Sequence, residues 1–234
     1  MKERRTVNLI SFTINVLIIV ITIYAISCYF RNDIIWEYEY FDFKRWKCLR
    51  YFTNLSNVYA AVSAVIIAVF NFKNVVRDRY FFPKWAIAVK YSACVSVTVT
   101  FMTVVFFLGP VAAFSGNGYF SLFKQSNFYL HFLTPILAVI SFLFFERGEK
   151  ISFKYAFYGL LPTVLYSVIY VIMVVFVGSD NGGWPDFYGF TFGGRMWAVP
   201  ISVIVMYAAT FAFSLAERFL HNKICAKKEY SCES

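Results

Sequence analysis

The sequence has 234 residues, of which 60% are hydrophobic and only 15% are charged, and its mean hydropathy is +0.62. A water-soluble domain is nearer to half apolar and a quarter charged. The excess falls into long apolar blocks separated by short charged segments, a pattern that indicates a polytopic membrane protein and excludes a single soluble domain. The net charge of +9 does not indicate nucleic-acid binding, because Lys and Arg lie at the ends of the blocks.

Six apolar blocks are long enough to cross a bilayer, because about 20 helical residues span a hydrocarbon core of about 30 Å. We predict spans at residues 7–30, 51–72, 85–108, 128–145, 155–177 and 196–220. Gly109-Pro110 is expected to end the third span. The first block is too long for the apolar part of a signal peptide and is expected to be retained. The predicted fold is all-α, a single six-helix membrane domain over residues 1–234.

The distribution of Lys and Arg predicts the orientation in the membrane. The side that holds both termini carries about twice as many of these residues as the other side. The positive-inside rule therefore places both termini in the cytoplasm of a multi-pass cell-membrane protein. A composition rich in Lys, Ile, Asn and Phe suggests a bacterial inner membrane. Lys90 is expected to extend to the interface from within the third span, and His221 is assigned to the cytoplasmic tail.

The cysteines and histidines do not predict a metal centre. Five cysteines occur without a Cys-x-x-Cys motif, and the two histidines are not at metal-ligand spacing from them. We expect no metal or other cofactor. Cys28 and Cys48 flank the same loop, and the sequence leaves open whether they form a disulfide.

The second span begins with a polar face. Thr53, Ser56 and Asn57 lie at positions i, i+3 and i+4, so a helix places them on one side. Lipid offers no hydrogen-bond partner, so this face must meet a cavity or a neighbouring helix. Either these groups form a site, or they only make hydrogen bonds between helices.

His131 lies about four residues into the fourth span, and Thr53 lies about three residues into the second. At about 1.5 Å per residue, both are expected roughly 5 Å below the same membrane boundary. A neutral imidazole can take the proton from a threonine hydroxyl and so activate it as a nucleophile. Pro135 has no N–H, which predicts a kink and a free carbonyl at His131. The alternative is a structural kink with the histidine bonded to a neighbouring carbonyl.

The phrases YFTNLSN and LHFLTPIL, together with the Trp184-Pro185 loop before the last span, resemble the androgen-induced transmembrane hydrolases and a bacterial six-span family related to them. Those hydrolases cleave fatty acid esters of hydroxy fatty acids with a threonine and a histidine inside the membrane. The resemblance assigns these roles to Thr53 and His131, with Ser56 as the alternative nucleophile. It also matches Pro185 and Arg195 to the Pro and Arg that flank the family's last outer loop.

Other residues have possible supporting roles. Asn57, Asn54 and Ser56 could supply polar support, with the amide of Asn57 as the preferred oxyanion donor. The carboxylate of Asp186 could orient His131 or could cap a turn after Pro185.

Cations and aromatic residues complete the predicted outer surface. Arg195, Lys47 and Arg50 are candidates to bind a substrate carboxylate, or they extend to lipid headgroups. Tyr188 is expected to belong to an interfacial aromatic belt.

The expected function is therefore hydrolysis of lipid esters at the outer leaflet, with a lipid or fatty-acid ester and the bilayer as partners. The alternative is a non-catalytic protein that binds or transports a lipid or a small anion in the same outward-facing pocket. We interpret the inner halves of spans two and four as almost free of polar residues, which favours a pocket open to one side. The sequence does not indicate an oligomeric state.

Overall fold

The computed structural model describes residues 2–31, 44–116, 118–146 and 150–232. Within these ranges the regular structure is helical, without a strand. Six of the helices are long and apolar enough to cross a membrane. The predicted all-α class is therefore confirmed, and the six candidate spans indicate a multi-pass membrane protein.

The six long helices are close to the predicted spans but mostly longer. They are α1 (Lys2–Cys28), α2 (Phe52–Val76), α3 (Lys84–Phe114), α4 (Ser126–Phe145), α5 (Tyr155–Val177) and α6 (Ala198–Cys232). Short 3₁₀ helices lie at Arg45–Arg50, Tyr119–Phe123 and Ser179–Asn181.

The prediction that Gly109-Pro110 ends the third span is wrong. The helix widens into a π-helical segment at Val104–Leu108, and the N–H of Gly109 bonds the carbonyl of Val104, five residues earlier. In this register the next carbonyl, that of Val105, would need the N–H that Pro110 lacks. The hydroxyl of Tyr119 donates to that carbonyl at 2.9 Å. The helix can therefore continue past the proline to Phe114.

The contacts between α1 and α2 define two ends of the bundle. At one end, which we call the Thr53 end, the hydroxyl of Tyr29 donates to Oδ1 of Asn54 at 3.4 Å. At the opposite end, which we call the Glu146 end, Nδ2 of Asn71 donates to the hydroxyl of Ser11 at 2.8 Å. The two helices are therefore antiparallel.

Helix α3 lies at the centre of the bundle, because every residue from 90 to 100 is buried. Between the two ends, its apolar side chains pack with those of α1, α2 and α4. Members of this apolar block include Ile18, Ala60, Ala64, Ile67, Val97 and Phe142. Large apolar side chains on α5 and α6, such as Leu165 and Val205, are exposed and have the character of a lipid-facing surface.

Candidate functional site

Thr53 lies in the first turn of α2 and is half-buried. Its backbone carbonyl accepts a hydrogen bond from Nδ2 of Asn57 at 2.7 Å. The same amide nitrogen donates to the carbonyl of Leu130 in α4 at 3.0 Å. One side chain therefore contacts both Thr53 and the residue that precedes His131, so the two predicted catalytic segments are adjacent at the Thr53 end.

His131 is buried in a π-helical segment at Tyr129–Leu133. Single π turns inside α-helices occur frequently at functional sites. Nδ1 of His131 lies 2.9 Å from the carbonyl of Leu122, in the 3₁₀ helix that precedes α4. A carbonyl can only accept, so Nδ1 carries the proton of this hydrogen bond. In the neutral ring the lone pair is then on Nε2, the atom that can act as a base.

The side chains of Thr53 and His131 do not hydrogen-bond to each other within the described part of the chain. Catalytic hydrogen bonds are often long or poorly aligned before substrate binds and tighten in the complex. The observed relationship is therefore adjacency of the two segments through Asn57, without a preformed bond between hydroxyl and imidazole.

The carbonyl released by Pro135 is that of Leu130, one residue before the one the sequence predicted. The N–H of Thr134 bonds the carbonyl of Tyr129, five residues earlier. In this π register the next carbonyl, that of Leu130, faces Pro135, which has no N–H. The Asn57 amide supplies the missing donor, so the π turn explains the one-residue shift.

The predicted oxyanion donors are largely used inside the protein. Both amide protons of Asn57 are taken by the carbonyls of Thr53 and Leu130. The Ser56 hydroxyl contacts the Thr53 carbonyl and the Thr100 hydroxyl, each at 2.9 Å. Nδ2 of Asn54 donates to the carbonyl of Cys48 at 2.7 Å, which uses only one of its two protons. Of these three side chains, Asn54 keeps the most capacity to donate.

Asp186 organises the loop between α5 and α6. Its Oδ1 accepts from the Tyr170 hydroxyl at 2.7 Å and the Phe190 N–H at 2.9 Å. Its Oδ2 accepts from the N–H and the hydroxyl of Thr191, at 2.7 Å and 2.6 Å. These bonds correspond to the turn-capping alternative, whereas the group that orients His131 is the Leu122 carbonyl. Burial acts to raise the pKa of Asp186, but the hydrogen bonds, led by those from Thr191, lower it overall.

The same loop caps the first turn of α2. The hydroxyl oxygen of Tyr188 accepts from the N–H of Phe52 at 2.8 Å. A free helix N-terminus exposes unpaired N–H groups, and Tyr188 satisfies one of them beside Thr53. Burial raises the pKa of Tyr188 to about 12, although the backbone hydrogen bond from Phe52 acts to lower it. From the sequence alone, Tyr188 was expected only in an aromatic belt, because a cap from a distant loop leaves no local pattern.

The candidate carboxylate-binding cations differ in exposure. Lys47 and Arg195 are exposed, whereas Arg50 is half-buried. Arg50 is held through its backbone, because its carbonyl accepts from the Tyr166 hydroxyl at 2.6 Å. Pro185, matched to the family's proline, is exposed in the loop.

A cavity of about 530 Å³ lies between the end of α1 and the start of α4. Its lining is mixed, with one cation, polar groups and aromatic rings: Tyr24, Cys28, Arg31, Phe123, Gln125, Ser126, Phe128 and Tyr129. Its volume lies in the range of small-molecule pockets. The backbone of Gln125 has a φ of 51°, an uncommon conformation for a residue other than glycine.

Cys28 and Cys48 are both buried free thiols, so the disulfide that the sequence left open is not formed. Burial raises the pKa of the Cys48 thiol to about 11, partly offset by a backbone hydrogen bond. The thiolate, the reactive form of cysteine, is therefore scarce at neutral pH.

The Glu146 end contains charged and polar residues whose positions differ from those predicted. Lys90 was expected to extend to the interface, but it is 1% exposed and lies 3.6 Å from the carboxylate of Glu146. Asn71 and Ser141 are buried with them, so the inner halves of spans two and four are not apolar. The polar interruptions of apolar blocks at Asn71 and Ser141 could have indicated this cluster.

His221 was also misplaced. It is fully buried in α6, and its ring stacks on Phe142 with a centroid separation of 4.8 Å. It therefore packs inside the bundle instead of lying in a solvated tail.

Within the described ranges, no group of three or more His, Cys, Asp or Glu residues is arranged to hold a metal ion. Comparison of the chain with known protein families, curated proteins and solved structures finds no match.

Proposed function

We propose that this membrane protein hydrolyses lipid esters, such as fatty acid esters of hydroxy fatty acids, with Thr53 as the nucleophile and His131 as the general base. The observation that carries the proposal is the position of the Asn57 amide, which bonds the carbonyls of Thr53 and Leu130. It keeps a hydroxyl and an imidazole on adjacent helices. A base activates a threonine when its nitrogen comes within hydrogen-bond reach of the hydroxyl, and adjacent helices allow that approach when substrate binds.

The hydrogen bond from Nδ1 of His131 to the Leu122 carbonyl supports a base role for Nε2. In the proposed reaction Nε2 takes the Thr53 hydroxyl proton while Oγ1 attacks the ester carbonyl. The alkoxide leaving group then receives that proton, and water hydrolyses the acyl-threonine by the same base. The spare amide proton of Asn54 is the side-chain candidate to stabilise the oxyanion.

The distribution of polar groups along α2 supports a site open to one end only. Thr53 and Asn57 lie at the Thr53 end, and Asn71 lies at the Glu146 end. Between them Ala60 and Ala64 are buried in the apolar block, and the one buried polar side chain of this stretch, Ser63, donates to the Ala60 carbonyl of its own helix. A transporter needs a polar path through both ends, whereas a hydrolase of membrane lipids needs access from one leaflet.

The ester would enter from the lipid beside the Thr53 end, where its carbonyl lies near the interface. A free carboxylate on the substrate would be bound by Lys47 or Arg195, which are exposed at this end. Arginine can bind a carboxylate through two parallel hydrogen bonds. Arg50 is a weaker candidate, because it is half-buried. By the positive-inside rule this end faces away from the cytoplasm, and we place it in the outer leaflet of a bacterial inner membrane.

A second candidate function is non-catalytic binding of an amphiphilic lipid or small anion. The cavity between α1 and α4 favours it, because Arg31 and Gln125 are polar and Phe128 is apolar in the same lining. Neither Thr53 nor His131 is among its lining residues, so this cavity is not the shared pocket that the sequence predicted, and binding there requires no turnover.

The test is covalent labelling of the purified full-length protein by a fluorophosphonate probe. We expect labelling of Thr53 and its loss in Thr53→Ala and in His131→Ala. Matched controls at buried positions of α6 are Thr210→Ala and His221→Ala, which should keep the label. Folded protein in each variant is verified by size-exclusion chromatography and by its thermal transition.

Labelling that persists in both Thr53→Ala and His131→Ala would overturn the mechanism. Absence of labelling together with tight binding of a fatty acid by the folded wild type would favour the non-catalytic alternative. The rate of hydrolysis of a chromogenic long-chain ester should be similar in the wild type and the two control variants. It should be lost in Thr53→Ala and in His131→Ala.

A further inference from the structure

The Glu146 end contains a buried charge cluster that the proposed hydrolase does not use. Lys90 of α3 and Glu146, which follows α4, have side chains that are 1% and 0% exposed. They are surrounded by polar residues of three helices: Ser11 and Asn15 of α1, Asn71 of α2 and Ser141 of α4. Ionisable groups buried among membrane helices are costly and commonly functional.

The hydrogen bonds of this cluster converge on one carboxylate oxygen. Oε1 of Glu146 accepts from Nδ2 of Asn15 at 2.6 Å, from the Ser11 hydroxyl at 3.2 Å and from the Ser141 hydroxyl. The ammonium of Lys90 donates to Oδ1 of Asn15 at 2.7 Å, and it lies 3.6 Å from the same Oε1. The pair is therefore connected mainly through the Asn15 amide.

Hydrogen-bonding capacity remains on three of these groups. Oε2 of Glu146 and Oδ1 of Asn71 are fully buried and have no partner within the described part of the chain. Lys90 has three N–H donors, of which one makes a short hydrogen bond. Asn71 is joined to Glu146 through the Ser11 hydroxyl, so the two unpaired acceptors belong to one cluster. Buried polar atoms without a protein partner are normally satisfied by ordered water.

The chemistry of these atoms selects the ligand. A cation would be repelled by the Lys90 ammonium, and an anion would be repelled by the Glu146 carboxylate. Water can accept one hydrogen bond from Lys90 and donate two, to Glu146 and Asn71. We propose that the cluster is a water-binding site, in which one molecule bridges Nζ of Lys90, Oε2 of Glu146 and Oδ1 of Asn71.

This site is separate from the proposed catalytic site. The apolar block with Ile18 and Ile67 lies between the two ends of the bundle. The water completes the solvation of an ion pair that would otherwise be buried with one oxygen unpaired. It is not part of the proposed ester hydrolysis, so its presence or absence is independent of labelling at Thr53.

A structure of the full-length protein by crystallography or electron microscopy, at a resolution that reveals ordered water, tests the proposal directly. We expect density for one water within about 2.7–3.2 Å of all three atoms. A cluster in which Lys90 contacts Oε2 directly, with no density between the three groups, would overturn it.

Hydroxyl-radical footprinting provides a solution test, because a bound water is a local source of radicals inside a protein. After oxidation is normalised to the intrinsic radical reactivity of each side-chain type, we expect several-fold more at Lys90 than at the equally buried Ile67. Asn71→Leu removes one ligand of the water and should lower oxidation at Lys90. The matched control is Asn74→Leu, one turn further along α2, where the amide instead donates to the Phe81 carbonyl at 3.0 Å.

In that control, oxidation at Lys90 should stay at the wild-type level. Normalised oxidation at Lys90 no greater than at Ile67 in the wild type would contradict the proposal, as would unchanged oxidation at Lys90 in a folded Asn71→Leu variant. If Asn71→Leu does not fold, the wild-type structure and footprint decide the question without it.

Discussion

The side-chain amide of Asn57 on α2 donates to the backbone carbonyl of Leu130 on α4 across 3.0 Å. That carbonyl has no helical donor, because in the π-helical segment that contains Leu130 the donor would have to be the N–H that Pro135 lacks. In the same way, the hydroxyl of Tyr119 donates to the Val105 carbonyl, whose helical donor is missing because of Pro110. In both helices a side chain from another segment replaces the hydrogen bond that proline removes, which allows an unbroken span across the proline.

Substitution of Asn57 by leucine should therefore destabilise the protein. The variant keeps the volume but leaves the Leu130 carbonyl unpaired in a buried site, at a cost of about 1–3 kcal/mol. Thermal unfolding in detergent should reveal a lower midpoint than in the wild type. The control is Ser63→Ala, further along α2, where the hydroxyl bonds only the Ala60 carbonyl of its own helix at 2.7 Å. Equal midpoints for the two variants would argue against the bridging role.

The close packing of Tyr119 on Gly109 predicts a second, coupled effect. A Cβ at Gly109 would lie 2.5 Å from Cε2 of Tyr119. Gly109→Ala should cost about 1–3 kcal/mol through overpacking. The same change should cost much less in a Tyr119→Ala background, where the ring is absent. A double-mutant cycle of unfolding free energies measures the coupling, and simple additivity would contradict this contact.

The Lys90–Glu146 pair predicts asymmetric effects of single and double substitution. Lys90→Met leaves the Glu146 carboxylate buried without its cation and should cost about 3–5 kcal/mol. Lys90→Met combined with Glu146→Gln removes both charges and should recover part of that loss. Lys84→Met, at the exposed start of the same helix, should change the unfolding midpoint little. A double variant less stable than Lys90→Met would show that the two charges are not a pair.

Asp186 predicts a pH dependence of the loop that caps α2. Its pKa is lower in the folded protein than the usual value of about 3.9, so the carboxylate stabilises the loop at pH values above that. The contribution should be lost as pH falls through the lowered pKa. Hydrogen–deuterium exchange at the amides of Phe190 and Thr191, which donate to Asp186, measures it.

We expect Asp186→Asn to accelerate exchange at both amides at neutral pH. The difference in loop stability between variant and wild type, followed by thermal unfolding, should shrink only below about pH 4. A difference that disappears between pH 7 and pH 5 would contradict the assignment of Asp186 as an ionised cap.

The sequence by itself determined the number of spans and, within several residues, most of their ends. These properties are local, because the length and hydropathy of each block fix whether it can cross a bilayer. It also identified Pro135 as a point where a backbone carbonyl would lose its donor. The shift of that carbonyl from His131 to Leu130 depended on a π turn, which no periodicity in the sequence indicates.

Only the tertiary structure decided which polar groups meet. The sequence could not pair Lys90 with Glu146, or assign Asp186 to Thr191 instead of His131, because these contacts depend on which helices and loops are neighbours. In a low-dielectric interior a polar side chain must take whichever partner the packing brings within reach. For this protein, apolar length therefore specified the helices, and packing specified the hydrogen bonds between them.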